Sequence, residues 1–505
     1  MTKVHRRIAG CLVLVAALCT AAPASAKTPI PSVSGPIPVT ADSYPFLAAD
    51  HNTVPQDLRK YGYVEEEYFV SGKANVYDWS PSNEAVVRTP NAPYTTRVLV
   101  RRPAKRSDFS GNVVVEMLNP SALLDLSVIW ALSNSQYLRN GDVWVGVTSK
   151  PVAVKALKAF DPERYDALSW ANPRSLDDPL NCTTVAADSS RTTENGLIYD
   201  IFSQVGAWLK SDARSNPLAD RSKHRHGQRS SGLRLFGTGH SQTGNFLYPY
   251  INGVQPLVVK ADGKPIYDGY LVAVASGSSP LNQCSPTPPV GDPRRQFDNA
   301  GVPIIRVMSQ ADYLPALWAR RADSNARPDR YRHYEMAGAG HATLIEWNFG
   351  PSPEDILKSG NALRPDYCDQ GPVSRFPVGI YFDAMFQNLV QWVRKGSPPP
   401  STDPILVANG VPVLDEFGNV QGGLRSPFVD VPTSAWPTNA TGAPFCPLAG
   451  WEVPFDQARL DTLYPSHRAY VKAVARNVKQ LVRDRILTRY DGTQLIDEAA
   501  HADIP

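Results

Sequence analysis

Cysteine is scarce in this 505-residue chain: six residues, too widely spaced to form a zinc cluster. Excess charge of either sign is also missing. Lys and Arg total 51 against 48 Asp and Glu, a formal net charge of +3, so nothing argues for a nucleic-acid surface. There is no internal repeat, no low-complexity tract and no linker long enough to separate domains. The apolar run Ile8 to Ala22 is too short and too rich in alanine for a stable membrane anchor. Ile8-Ala-Gly-Cys11 lacks the apolar stretch ahead of it that a lipidation box needs.

What remains is a chain that is 42% hydrophobic, enough for a large core, with 46 prolines that predict many ordered loops. Met1 to Ala26 has the form of a secretory signal. Lys3, His5, Arg6 and Arg7 precede the apolar run, and Ala24-Ser-Ala26 forms the cleavage site. An exported mature chain follows. Cys11 and Cys19 leave with the signal. Cys182, Cys284, Cys368 and Cys446 remain and allow two disulfides in three pairings, of which Cys182–Cys284 with Cys368–Cys446 is favoured. Asn181-Cys-Thr and Asn439-Ala-Thr are formal glycosylation sequons.

The first stretch, 27–60, reads as an extended arm. Strands are predicted at Tyr63 to Val70, Ala74 to Tyr77, Tyr94 to Arg101, Asn112 to Leu118, Val143 to Thr148, Tyr270 to Ala275, Val302 to Met308 and Tyr331 to Met336. Helical spacing predicts helices at Asp125 to Tyr137, Glu194 to Lys210, Val378 to Val393 and Ala469 to Leu487. The tail beyond is polar. Two turn-rich stretches, 149–192 and 397–465, read as insertions that roof the sheet, and the basic run Arg221 to Arg229 as a solvated loop. Apolar strands alternating with amphipathic helices predict an α/β fold: one domain over 27–505, with a mostly parallel sheet covered on both faces.

The chain is organised around Leu233 to Phe246. An apolar strand runs into Gly239-His-Ser241-Gln-Thr-Gly244, and Asn245 to Tyr250 opens a helix. This is the strand–turn–helix of a nucleophile elbow, with the second small residue one place later than in G-x-S-x-G. A serine needs a base and an acid to orient it. In a sheet of this kind both sit just past later strands. Asp312 follows the 302–308 strand and His341 follows the 331–336 strand, on the small-residue loop Ala337-Gly-Ala-Gly. The order is Ser241, Asp312, His341. Asp292 and Asp298 are reserve acids. The oxyanion donors expected are the N–H of Gln242 and one from the loop after Leu118, where Asn119, Ser121 and Ala122 qualify and Ser121 is favoured. Trp130, Trp170, Tyr313 and Trp318 are aromatic candidates for the pocket wall.

With these residues in place the chain resembles a family of large, mostly bacterial, secreted α/β-hydrolase domain proteins. The similar stretches are Glu65-Glu-Glu-Tyr-Phe-Val-Ser-Gly-Lys-Ala74, Val113-Val-Val-Glu-Met-Leu-Asn119, Gly239-His-Ser-Gln-Thr-Gly244, Val302 to Asp312 and Tyr334 to His341. The resemblance implies the α/β-hydrolase fold, a Ser241–Asp312–His341 triad and ester hydrolysis, and names no substrate. Two positions depart from the family. Gln310 stands where an acid is common, which removes a competitor to Asp312. Ser121-Ala-Leu-Leu124 replaces a glycine-rich turn. The expected activity is a secreted serine esterase acting on a small-molecule ester without a metal or organic cofactor. The alternatives are an acyltransferase using the same triad, or a non-catalytic binding protein on the same scaffold.

Overall fold

Runs of five or six residues with every side chain buried form the centre of the sheet. Successive strand residues point to opposite faces, so burial of all of them means that both faces are covered. The computed structural model describes residues 26–219, 232–260, 262–298 and 300–505. The expected signal peptide, apart from Ala26, and the basic run at 221–229 lie outside them.

The nine-stranded sheet comprises β1 (Ser32–Ser34), β2 (Tyr63–Trp79), β3 (Ala85–Pro103), β4 (Asn112–Met117), β5 (Val143–Val147), β6 (Arg234–His240), β7 (Gly269–Ala273), β8 (Ile304–Ser309) and β9 (Tyr331–Met336). Their order across the sheet is β9-β8-β7-β6-β4-β5-β3-β2-β1. The strands from β9 to β5 pair in parallel, and β3, β2 and β1 continue antiparallel at one edge. The carboxyl ends of β4, β6, β8 and β9 therefore share one rim. Ser241, Asp312, His341 and the 119–126 loop all follow those ends.

The helices are α1 (Val128–Asn140), α2 (Pro151–Phe160), α3 (Leu197–Leu209), α4 (Gln242–Pro249), α5 (Gly379–Lys395), α6 (His467–Arg483) and α7 (Arg489–His501), with several shorter turns between them. Gly396, at φ 71°, ends α5 in the left-handed conformation that favours glycine. None of the helices among the described residues is long and apolar enough to cross a membrane.

The structure differs from the sequence reading in four places. The expected strands at 63–70 and 74–77 are one 17-residue strand, β2, bent by bulges between Ala74 and Tyr77. The stretch 27–60 is no free arm. Ser32–Ser34 pairs with β2, and Phe46 to Ala49 are buried. Its carbonyls serve buried arginines: Arg97 Nη2 donates to Phe46 O, and Arg101 Nη2 to Leu47 O at 2.6 Å. The predicted insertion 149–192 begins with α2, whose Pro151 sits in the first turn, where a missing N–H costs nothing. The polar tail is α7. Thr488 accepts from the Asp491 N–H at 3.1 Å, and Leu495 and Ala499 pack with Val474 and Val478 of α6.

Cys182 is bonded to Cys284, and Cys368 to Cys446. The second bond ties the 367–372 hairpin to the loop carrying Phe445 and Leu448. Both sequon asparagines use their amides inside the fold. Asn181 Nδ2 donates to the carbonyls of Arg174, Ser175 and Arg191, and Asn439 Nδ2 to those of Ala311 and Pro447.

Candidate active site

Strand β6 ends at His240, and the chain turns through Ser241 with φ 56° and ψ −115° before α4 begins at Gln242. A non-glycine residue held there costs about 1–3 kcal/mol, which the surroundings must supply. They do so through Ser241 N–H to Ala273 O at 2.9 Å and Asn245 N–H to Ser241 O at 2.9 Å. The glycines explain the unusual motif. A Cβ on Gly239 would lie 2.6 Å from the Thr243 carbonyl, and one on Gly244 would lie 2.6 Å from Ala273 O. Close contact with β7 thus falls on position 244. Position 243 is free to be threonine, and its Oγ1 bonds the N–H and the carbonyl of His240, both at 3.1 Å.

His341 sits on the loop after β9. Its N–H donates to Leu448 O at 2.8 Å, and the loop is held by Gly338 N–H to Gln310 Oε1 at 2.7 Å and Gln310 N–H to Ala339 O at 2.9 Å. His341 Nδ1 lies 2.9 and 2.8 Å from the two carboxylate oxygens of Asp312. Ser309 Oγ donates to Asp312 Oδ2. Burial pulls the His341 pKa down. The charge and hydrogen bond of Asp312, with a further charge from Glu346, outweigh it, so the net shift is upward. The reserve acid Asp292 is instead paired with Arg294 at 2.6 Å. Glu335 is held by Arg320 and His333. His240 packs edge-on to His341, ring centroids 5.2 Å apart. Burial and the neighbouring imidazole push its pKa well down, so it stays neutral.

Ser241 and His341 line one pocket of about 120 Å³, together with His240, Asn119 and Ser121. Leu126, Val128, Ala131, Trp347, Phe445 and Leu448 supply apolar wall, and Glu346 and Arg364 are its charged members. The 397–465 stretch contributes Phe445 and Leu448 to this lining. The 149–192 stretch supplies no lining residue. It meets the elbow at Gln242 instead: Gln242 Nε2 lies 3.5 Å from Asp188 Oδ2, and Asp188 is paired with Lys150. The four aromatics proposed for the wall are not on it. Trp130, Trp170 and Tyr313 are core residues, and Trp318 lies under the Arg295 guanidinium.

The expected oxyanion donors fare differently. Gln242 opens α4, where a first-turn N–H has no partner within the helix. Ser121 lines the pocket, but its N–H donates to Asn119 Oδ1 at 2.8 Å. That is a correction to the sequence reading: the side chain of Asn119 closes the turn on itself and takes the donor favoured there. The same amide donates to His240 O at 2.7 Å, lashing the loop to the elbow.

Beneath this loop, Glu116 of β4 is fully buried and accepts from the N–H groups of Ile129 and Trp130 at the start of α1, and from Trp144 Nε1 at 2.8 Å. Burial raises its pKa to about 7, against the pull of those donors and of Arg101. Asp125 anchors the far side of the loop through Thr148 Oγ1 and Arg97 Nη1. Glu116→Ala leaves three buried donors unpaired, and is expected to cost roughly 3–5 kcal/mol in urea unfolding. A loss below about 1 kcal/mol would contradict this role. Nothing in the apolar pattern of the 112–118 strand singles out Glu116. Thr343-x-x-Glu346 does carry a legible signal, the capping box that starts the short helix Leu344–Asn348 on the pocket wall.

A family model described as an alpha/beta hydrolase domain matches residues 33–497. The chain belongs to that family. We found no match for this hydrolase-domain chain among curated proteins. Solved structures similar in part include an esterase from Pyrobaculum calidifontis, 10% identical, with 60% of this chain and 86% of that chain covered and a TM-score of 0.30. Another is esterase B from Lactobacillus rhamnosis, 12% identical, with 61% and 84% covered and a TM-score of 0.28.

Proposed function

We propose that this chain is an exported serine hydrolase that cleaves a carboxylic ester through Ser241, His341 and Asp312. The observation that carries the reading is the joint placement of Ser241 on a strained turn and of His341, oriented by Asp312, on one pocket wall. With Nδ1 facing Asp312, the free Nε2 is the atom that takes the Ser241 proton as Oγ attacks the acyl carbon. The imidazolium then gives that proton to the departing alcohol. Water, deprotonated by the same Nε2, attacks the acyl carbon of the acyl-enzyme and releases the acid and Ser241. The Gln242 N–H faces the developing oxyanion. With the Ser121 N–H committed to Asn119, the second donor in this proposal is Ala122. Two disulfides and the signal-like first residues support export.

Protonated His341 cannot accept the serine proton, so kcat/KM must fall as pH falls through the His341 pKa. The net shift of that group is upward, which places the acidic limb above the ordinary value of 6.5. Hydrolysis of aryl and alkyl esters of short acids, followed from about pH 5 to 9, tests both points. A rate independent of pH across that range contradicts the assignment of His341 as base, and a limb below 6.5 contradicts the upward shift.

A further inference from the structure

A second cavity, of about 570 Å³, opens where the C-terminal end of α1 meets α5 and the turn between α6 and α7. Four arginines, Arg139, Arg483, Arg485 and Arg489, line it, with no aspartate or glutamate. The rest of its polar lining is amide, hydroxyl and phenol side chains. Guanidinium groups gathered in one wall repel each other unless something compensates them, so the nearby carboxylates decide its charge.

Those carboxylates compensate little. Among the described residues only Arg139 has one within 4 Å, Asp383 Oδ2 at 3.7 Å. Arg485 spends its N–H groups on neutral acceptors: Gln391 Oε1 at 3.2 Å, Ser397 Oγ at 3.3 Å and the carbonyl of Pro398. These bonds fix the side chain and leave its charge in place. Arg483 donates to Gln480 Oε1, another neutral partner. Arg489 has no ion pair among the described residues. The two acids nearest in sequence bond neutral donors, and Asp491 also faces the charge of Arg139, which leaves Arg483, Arg485 and Arg489 uncompensated among the described residues. Asp484 accepts from Gln480 Nε2 at 2.7 Å, and Asp491 accepts from Thr488 Oγ1 at 2.6 Å.

We propose that this cleft binds a ligand bearing phosphate or sulfate groups. A tetrahedral oxyanion of phosphate or sulfate presents three or more acceptor oxygens in different directions and meets two or three guanidinium groups at once. The cavity also falls within the range of about 300–1,000 Å³ typical of ligand sites. The site is separate from the catalytic pocket. Helix α1 runs from Val128, on the pocket wall, to Arg139 in the cleft, roughly 15–20 Å at 1.5 Å per residue. Its role is docking, and hydrolysis proceeds without it.

The test uses two probes, tripolyphosphate and dextran sulfate, with uncharged dextran as control, titrated calorimetrically into the mature protein at low and high salt. At least one charged probe binds at low salt and weakens as salt rises. Arg483→Glu with Arg489→Glu weakens that binding at least tenfold. Lys472→Glu with Lys479→Glu, the same charge change on the exposed side of α6, does not. Ester hydrolysis stays unchanged in both variants and reports that they are folded. Tripolyphosphate alone binding identifies a small phosphate ligand, and dextran sulfate alone a sulfated polymer. No binding by the wild type at low salt overturns the proposal, as does an equal loss in the two variants.

Discussion

Ser241→Ala is expected to lower ester hydrolysis by roughly 10⁴–10⁶-fold while leaving the fold intact. The magnitude follows from the role proposed. Without Oγ there is no acyl-enzyme, and only the oxyanion donors and the bound substrate geometry still favour reaction with water. The fold is expected to survive because the Ser241 Oγ holds nothing together: the turn is fixed by Ser241 N–H to Ala273 O and by the Thr243 hydroxyl. Thermal unfolding within a few degrees of the wild type, with the rate reduced by that factor yet still above the uncatalysed rate, is the expected pair of results. A rate within tenfold of the wild type would mean that another group does the chemistry.

Asp312→Asn is expected to lower kcat by roughly 10³–10⁴-fold, with KM nearly unchanged. An amide does not reproduce the paired acceptance at 2.9 and 2.8 Å. Its N–H₂ group also favours the imidazole tautomer whose Nε2 carries the proton, and that nitrogen cannot then act as base. The effect has a second reading in pH. Asp312 is the leading cause that raises the His341 pKa, so in Asp312→Asn the residual activity should show its acidic limb moved to lower pH. A large rise in KM with normal kcat would assign Asp312 to substrate binding instead.

The sheet and the three candidate triad positions are legible in the sequence for a shared reason. Strands buried on both faces are continuous apolar runs, and the residues that follow β6, β8 and β9 lie on one rim by topology alone. Two contributions of the first 100 residues are less legible. The carbonyls of Phe46 and Leu47 serve buried arginines only once β3 lies beside them. The long bend of β2 depends on its pairing with β3, not on its own pattern. The conformation of the 119–122 loop escapes for a finer reason. Whether Asn119 Oδ1 or a substrate takes the Ser121 N–H depends on an Asx turn, one of several conformations open to Asn-Pro-Ser-Ala. The pocket wall escapes because Arg364, Phe445 and Leu448 come from segments without periodicity and Trp347 from a five-residue helix too short to show any, all placed by tertiary contacts such as His341 N–H to Leu448 O.

The central claim is that Ser241 is a nucleophile activated by His341. Its most direct test is labelling of the mature protein with a fluorophosphonate probe, followed by peptide mapping, alongside Ser241→Ala and His341→Ala. The account predicts label on the peptide containing Ser241 in the wild type, none in Ser241→Ala, and loss of rapid labelling in His341→Ala. A folded wild-type protein that takes no label, or takes it on another serine, would contradict it.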